Sequence, residues 1–131
     1  MSKKIEFNVQ QVPMYDLFTL VRNWANEKGI YDNGDIKTQV LKLVEETGEL
    51  SKAVLNSNNL EIEDAIGDCL VVLINVAELH NKNLISKQIG YSYIEHDPTK
   101  QTAENCLLQA YNVISKRKGK MQNGTFIKDK K

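Results

Sequence analysis

Glutamates and aspartates on two consecutive predicted helices are the residues of this chain with the clearest capacity for chemistry. Glu45, Glu46 and Glu49 are one, three and four residues apart, which places them on one surface of a helix. Asp64 and Asp68 follow, one helical turn apart. Like charges at these spacings repel each other and weaken both helices unless a cation offsets them. A solvated acidic face is the alternative interpretation.

The apolar neighbours of these carboxylates favour a cation site. Glu46 and Glu49 are flanked by apolar positions, and Asp68 directly precedes the apolar stretch 69–76. We therefore expect the three side chains to point towards the protein interior, where a carboxylate requires a partner. All candidate ligands are oxygens, with no His or Cys at ligand spacing. This donor set favours Mg²⁺ or Mn²⁺ over zinc.

Basic residues concentrate at the end of the chain. Between residues 116 and 131 there is one acidic residue, Asp129, against Lys116, Arg117, Lys118, Lys120, Lys128, Lys130 and Lys131. Carboxylates that hold Mg²⁺, with Arg and Lys that neutralise phosphate oxygens, are what a metal-assisted reaction on a polyphosphate requires. A solubilising tail is the alternative. No Gly-x-x-x-x-Gly-Lys-Ser/Thr loop occurs, which excludes a P-loop mechanism.

Composition indicates one all-α domain spanning residues 1–131. The chain is 41% hydrophobic and 26% charged, with only 7 Gly and 2 Pro. Lys plus Arg and Asp plus Glu both total 17, so net charge gives no argument for a nucleic-acid or membrane partner. No stretch reaches the roughly 20 apolar residues of a membrane span, and we see no secretory signal. We expect a cytoplasmic protein in which Cys69 and Cys106 are buried thiols.

Apolar periodicity and capping residues predict a four-helix core. The predicted elements are a helix over 13–28 ended by Gly29, a turn over 31–35, a helix over 36–56, a helix capped by Asn58 and running to 81, a partly irregular connection over 82–96, and a helix from Asp97-Pro98 to Lys118 ended by Gly119. Asn123-Gly124 then predicts a small hairpin, or an arm that orders on a neighbour. Residues 69–79 are apolar on nearly every face, which favours a subunit interface.

Two motifs in order give the chain a resemblance to a known family. Residues 45–50 read Glu-Glu-Thr-Gly-Glu-Leu and residues 65–68 read Ala-Ile-Gly-Asp before an apolar helix. With the closing segment 117–128, they resemble the MazG family of all-α nucleoside triphosphate pyrophosphohydrolases, including its small phage and bacterial members. One departure is that Ala65 stands where the family has a Glu, so a family metal ligand is missing. Asp64 is our choice to supply that carboxylate, with Glu61 as the other candidate.

The resemblance implies Mg²⁺-dependent hydrolysis of a nucleoside triphosphate to the monophosphate and pyrophosphate by a homodimer or homotetramer. It implies that Glu46, Glu49 and Asp68 hold the metal, with Mn²⁺ as a substitute. Glu45 is the remaining candidate to orient or deprotonate the water.

The substrate contacts that the resemblance suggests are less specific. Arg117, Lys118 and Lys120 would contact phosphates, from the same or an adjacent subunit. Trp24 stacks on a base or, as its helical spacing favours, belongs to the core. Asn75 bonds within an interface or touches substrate. Two rival functions remain: a nucleotide-binding module that has lost turnover, which Ala65 favours, and a nucleic-acid-binding protein that uses the basic tail.

Overall fold

Four long helices, one helical turn and a β-hairpin make up the computed structural model, which describes residues 13–85 and 102–130. The elements are α1 (Met14–Glu27), α2 (Ile30–Asn33), α3 (Ile36–Leu55), α4 (Asn59–Ile85), α5 (Ala103–Ile114), β1 (Gly119–Gln122) and β2 (Thr125–Lys128). The predicted all-α class and four-helix core are confirmed. Most of the predicted irregular connection lies outside the described residues, and its first residues, 82–85, belong to α4.

The predicted turn over 31–35 is in part wrong, because the chain forms a helical turn there. Gly29 separates α1 from α2 at a φ of 79°, a left-handed conformation that glycine adopts without steric cost. Tyr31 then becomes fully buried, and its hydroxyl donates to Asn75 Oδ1 on α4 at 2.8 Å. Burial of this side chain fixes the extra turn before the chain extends again at Gly34.

Side-chain caps begin α3 and α4, and the cap at Asn58 confirms the predicted start of α4. Asp35 Oδ1 accepts a hydrogen bond from the Thr38 amide at 2.9 Å, and Asn58 Oδ1 accepts one from the Glu61 amide at 3.2 Å. The bonds to Thr38 also lower the pKa of Asp35. The local chemistry of these caps is sufficient to define where α3 and α4 begin.

The far ends of α4 and α5 differ from prediction. α4 extends to Ile85, beyond the predicted end at 81, and Lys82 in its last turns donates to the Tyr31 carbonyl at 2.6 Å. α5 begins at Ala103, after its cap Thr102. The predicted start at Asp97-Pro98 lies outside the described residues. α5 ends at Ile114, before Lys118.

Gly119 does not end α5 but is the first residue of β1, where it pairs with Lys128. A Cβ at this position would collide with the Ile127 carbonyl oxygen, so the strand pairing itself requires glycine. The predicted hairpin is confirmed, with Asn123 and Gly124 both at positive φ, as a two-residue turn requires.

α4 is the central element, since it contacts α1, α2, α3 and α5. Its inner face buries Val72, Ile74 and Leu79, and Leu79 packs with Ala25 and Tyr31 in the core. Its other face is open: the fractional exposures of Leu70 and Leu73 are 49% and 45%. The apolar character of residues 69–79 therefore exceeds what the described residues cover.

Both cysteines are free thiols. The prediction that they are buried is wrong for Cys106, which is exposed on α5, and Cys69 is partly exposed. None of the helices in the described ranges has the length and apolar character needed to cross a membrane.

Candidate functional site

Two neighbouring cavities share Asp68 in their walls. The acidic cavity has a volume of about 580 Å³ and is lined by Glu49, Glu61, Asp64 and Asp68, with Lys52 and Ala65. The Trp24 cavity has a volume of about 320 Å³ and is lined by Trp24, Gln39, Lys42, Glu46, Asp68 and Asn75, with apolar side chains of α2 and α4. Volumes of this size suit small-molecule ligands. The structure thus places a carboxylate-rich space next to an aromatic one.

Among the predicted metal ligands, Glu46 is the carboxylate that the fold buries. It is only 6% exposed, and its Oε1 lies 3.2 Å from Lys42 Nζ. Its Oε2 has no hydrogen-bond partner among the described residues. A buried carboxylate oxygen without a partner costs free energy, so this position favours a ligand that brings positive charge or a proton donor.

The expectation of inward-pointing side chains holds for Glu46 and is wrong for Glu49 and Asp68, which are both exposed. The α3–α4 contact is open along the acidic cavity, so their carboxylates stand on its wall, accessible to solvent. Exposure lets these side chains change rotamer at little cost.

Glu45 lies beside the site rather than in it. Its side chain is 58% exposed, and its Oε1 lies 3.4 Å from Lys42 Nζ. The residues that line the two cavities do not include Glu45. Hydrogen bonding to Glu46 and the charge of Glu45 raise the pKa of Lys42, so its ammonium stays charged.

The electrostatics at Cys69 show that the two helices combine their charge. Burial raises the pKa of this thiol, and the negative charges of Glu46 and Asp68 raise it further. The charges of Glu46 on α3 and Asp68 on α4 therefore both reach this thiol.

The donor chemistry fits a hard divalent cation, although the side chains are not gathered around one. Within residues 13–85 and 102–130, no three Asp, Glu, His or Cys side chains converge in a way that would hold a metal ion. The available donors are carboxylate oxygens, and one of them, Glu46 Oε2, is buried without a partner. Glu46 and Asp68, with Glu49 and Asp64 from the acidic cavity, are the residues that would hold such an ion.

Ala65, where the resembled family has Glu, is 4% exposed and forms part of the acidic cavity wall. Asp64 and Glu61 line the same cavity. Both candidates for the missing carboxylate therefore stay open.

Trp24 and Asn75 lie in the wall of the Trp24 cavity. The core position that helical spacing favoured for Trp24 is wrong, since 47% of the residue is exposed. Asn75 is 2% exposed, and its Oδ1 is bonded to the Tyr31 hydroxyl within the same subunit. Lys42 and Gln39 were missed by sequence reasoning. Helical spacing could have found them, because Lys42 lies one turn and Gln39 two turns before Glu46.

The predicted phosphate contacts are not brought to either cavity by this subunit. Arg117 and Lys118 precede β1, and Lys120 lies within it, all of them exposed. None of the three belongs to the described lining of the acidic or the Trp24 cavity.

Comparison with known proteins identifies the part of the chain that holds the carboxylates. Residues 35–88 match the model of the MazG nucleotide pyrophosphohydrolase domain. We call residues 35–88 the MazG segment, after the domain whose model they match. It contains α3, α4 and every predicted metal ligand, whereas Trp24 and the basic tail lie outside it. The resemblance seen in the two motifs is confirmed over this range.

Part of the chain is similar in sequence to a phage protein. It is an uncharacterised 18.2 kDa protein of the rep-hol intergenic region of Haemophilus phage HP1, 33% identical over 79 residues. The match covers 58% of this chain and 48% of the phage protein, so it spans about half of that relative's length. No solved structure matches the chain.

Proposed function

We propose that this protein hydrolyses nucleoside triphosphates to the monophosphate and pyrophosphate with Mg²⁺, and so removes unwanted or non-standard nucleotides. The observation that carries the proposal is the pair of cavities that meet at Asp68. One offers carboxylates for a cation and its polyphosphate, and the other offers an aromatic ring for a base. The MazG segment that forms most of both walls supports the same reaction class.

The residues divide into three roles. The cation would be held by Glu46, Glu49, Asp68 and Asp64. Trp24 would stack on the nucleotide base. Bound Mg²⁺ supplies charge neutralisation on the phosphate oxygens and makes water a better nucleophile. Glu45 is our candidate to activate the water, from its position beside the site. It would accept the proton as water attacks the α-phosphorus, while the bond from that phosphorus to the bridging oxygen breaks and pyrophosphate leaves.

We include a homodimer or homotetramer in the proposal. No residue of α5 is buried within the described part of the subunit, and its exposed apolar side chains include Leu107, Leu108, Tyr111, Val113 and Ile114. Apolar surface of this extent is typical of an association site. A second copy on this face would also allow Arg117, Lys118 and Lys120 to reach a neighbour's phosphates.

The test is pyrophosphate release from a panel of standard and modified nucleoside triphosphates, with Mg²⁺ and with a chelator. We expect release only with metal, and a loss of at least about a hundredfold in Glu46→Gln, because the amide keeps the shape but not the charge. Glu63→Gln is the matched control, an exposed glutamate of α4 outside both cavity walls. Release without metal, or full activity of Glu46→Gln, would contradict the proposal.

The second candidate is a nucleotide-binding module that has lost turnover. Ala65 favours it, because the cavity wall lacks a carboxylate where the family has one. Metal-dependent nucleotide binding without pyrophosphate release across the whole panel would establish this alternative.

A further inference from the structure

Lys42 stands between two glutamates of its own helix. Its Nζ lies 3.2 Å from Glu46 Oε1 and 3.4 Å from Glu45 Oε1, contacts that span one turn of α3. A single positive charge therefore serves two carboxylates, one of them buried.

The lysine satisfies Glu46 only in part. Oε1 has the ammonium, but Oε2 has no hydrogen-bond partner among the described residues. The lysine side chain is itself 46% exposed, so it can leave the glutamate for water without opening the helix packing. Because the lysine end of this ion pair is open to water, the pair can exchange the lysine for another cation even though its glutamate is buried.

Lys42 also faces the space in which a substrate would lie. It lines the Trp24 cavity together with Glu46, Asp68 and Trp24. A lysine ammonium on a flexible stem can reach several positions in such a cavity.

We propose that Lys42 is a resident counter-ion of Glu46 that a divalent cation displaces, after which its ammonium binds the anionic part of a nucleotide whose base lies in the Trp24 cavity. The inference rests on the metal-binding part of the proposed function. It assigns Lys42 two opposite effects: the side chain weakens metal binding and strengthens nucleotide binding.

The test measures both effects on the full chain. Calorimetric titration of the metal-free protein with Mn²⁺ alone gives the first. We expect Lys42→Met to bind Mn²⁺ about threefold to tenfold more tightly than the wild type, because the competing ion pairs are gone. Lys37→Met is the matched control, since it removes the same charge from the same helix at an exposed position outside the Trp24 cavity. It should leave Mn²⁺ affinity nearly unchanged.

The second effect is read from a nucleotide with a non-hydrolysable α,β-methylene bridge, added at saturating Mn²⁺. We expect Lys42→Met to bind it about threefold to tenfold more weakly, whereas Lys37→Met should match the wild type. Lys42→Gln repeats both measurements with a polar side chain, should the methionine variant fold poorly. Both shifts are required for the proposal.

Unchanged or weaker Mn²⁺ binding in the Lys42 variants would overturn the proposal, as would undetectable Mn²⁺ binding in every protein. Unchanged nucleotide affinity would overturn its second half. The proposed function and the role of Lys42 can fail independently of each other. Pyrophosphate release without these two shifts would refute only the role of Lys42, and the two shifts without release would refute only the hydrolysis.

Discussion

Trp24 provides the most direct test of where a base binds. It is the sole tryptophan of the chain, is about half exposed, and shares a cavity wall with Glu46 and Asp68. Stacking of a base on an aromatic ring contributes about 1–3 kcal/mol. We therefore expect Trp24→Ala to raise KM for the triphosphate by roughly fivefold to a hundredfold.

Three controls give this prediction its specificity. Trp24→Phe should retain most of the affinity, because it keeps an aromatic face. Mn²⁺ affinity should be the same in Trp24→Ala and wild type, since the carboxylates are untouched. Intrinsic fluorescence of the wild type should change on nucleotide binding, because the chain has no other tryptophan. An unchanged KM in Trp24→Ala would place the base elsewhere.

Cys69 reports the charge of the candidate site through its pKa. Burial raises this pKa, and the charges of Glu46 and Asp68 add to the shift. Because the thiolate is the reactive form, alkylation of Cys69 should reach half its maximal rate at a pH above the ordinary cysteine value of about 8.5. Iodoacetamide labelling of a Cys106→Ser protein across pH 7–10, followed by mass spectrometry, measures the pH at which the alkylation rate is half-maximal.

The same thiol tests the contact between α3 and α4. Glu46→Gln removes one negative charge, so the Cys69 pKa should fall and labelling at a fixed pH near 8 should accelerate. Glu63→Gln should have no effect. Equal rates in Glu46→Gln and wild type would show that the Glu46 carboxylate does not act at Cys69.

At the level of helices, Arg22 joins α1 to two others. Its guanidinium donates to Glu104 Oε1 at 2.7 Å and Oε2 at 2.8 Å on α5, and its Nε lies 3.9 Å from Glu78 Oε1 on α4. Arg22 and Glu78 are both buried. Paired charges of this kind are destabilising to break, because the partner that remains stays desolvated.

We expect Arg22→Met to lower the free energy of unfolding by about 3 kcal/mol. Glu104→Gln should lower it by about 1 kcal/mol, because an amide still accepts one hydrogen bond and Glu104 is partly exposed. Urea unfolding followed by circular dichroism gives both values, with Lys37→Met as an exposed control. A larger loss in Glu104→Gln than in Arg22→Met would contradict this arrangement.

The elements that sequence reasoning predicted correctly depend on local contacts. The Asn58 cap bonds within three residues, and the Asn123-Gly124 turn sets its own backbone, so both can be predicted from a short stretch of sequence. α2 was missed because it depends on the bond from Tyr31 to Asn75, 44 residues away.

In the candidate site too, features set by local spacing could be predicted, and features set by contacts between helices could not. Helical spacing predicts Glu46 and Glu49 on one side of α3, and each of them lies in a cavity wall that also contains Asp68. Which of them becomes buried depends on how α4 packs against that side, a contact that spacing within one helix does not contain. Lys42 was overlooked for a related reason, since its importance comes from the buried state of Glu46.

On the scale of the whole protein, the apolar surface and the basic tail lie on neighbouring elements. Leu107 and Tyr111 of α5 are 66% and 59% exposed, and Met121 and Phe126 of the hairpin are 66% and 45% exposed. Arg117 and Lys118 connect the two elements. We propose that a second copy covers this surface and that Arg117 and Lys118 reach the cavities of that copy, so that each active site contains residues of both subunits.

Subunit mixing tests this arrangement. Glu46→Gln lacks a metal ligand, and a double variant with Arg117→Ala and Lys118→Ala lacks phosphate contacts, so each alone should release pyrophosphate poorly. In a mixed dimer one site would combine an intact Glu46 with an intact basic segment. Random exchange gives such dimers half of the population, so mixing should restore roughly a quarter of wild-type activity. Light scattering of each protein confirms that it is oligomeric. Mixtures no more active than the separate variants would show that each subunit supplies its own phosphate contacts.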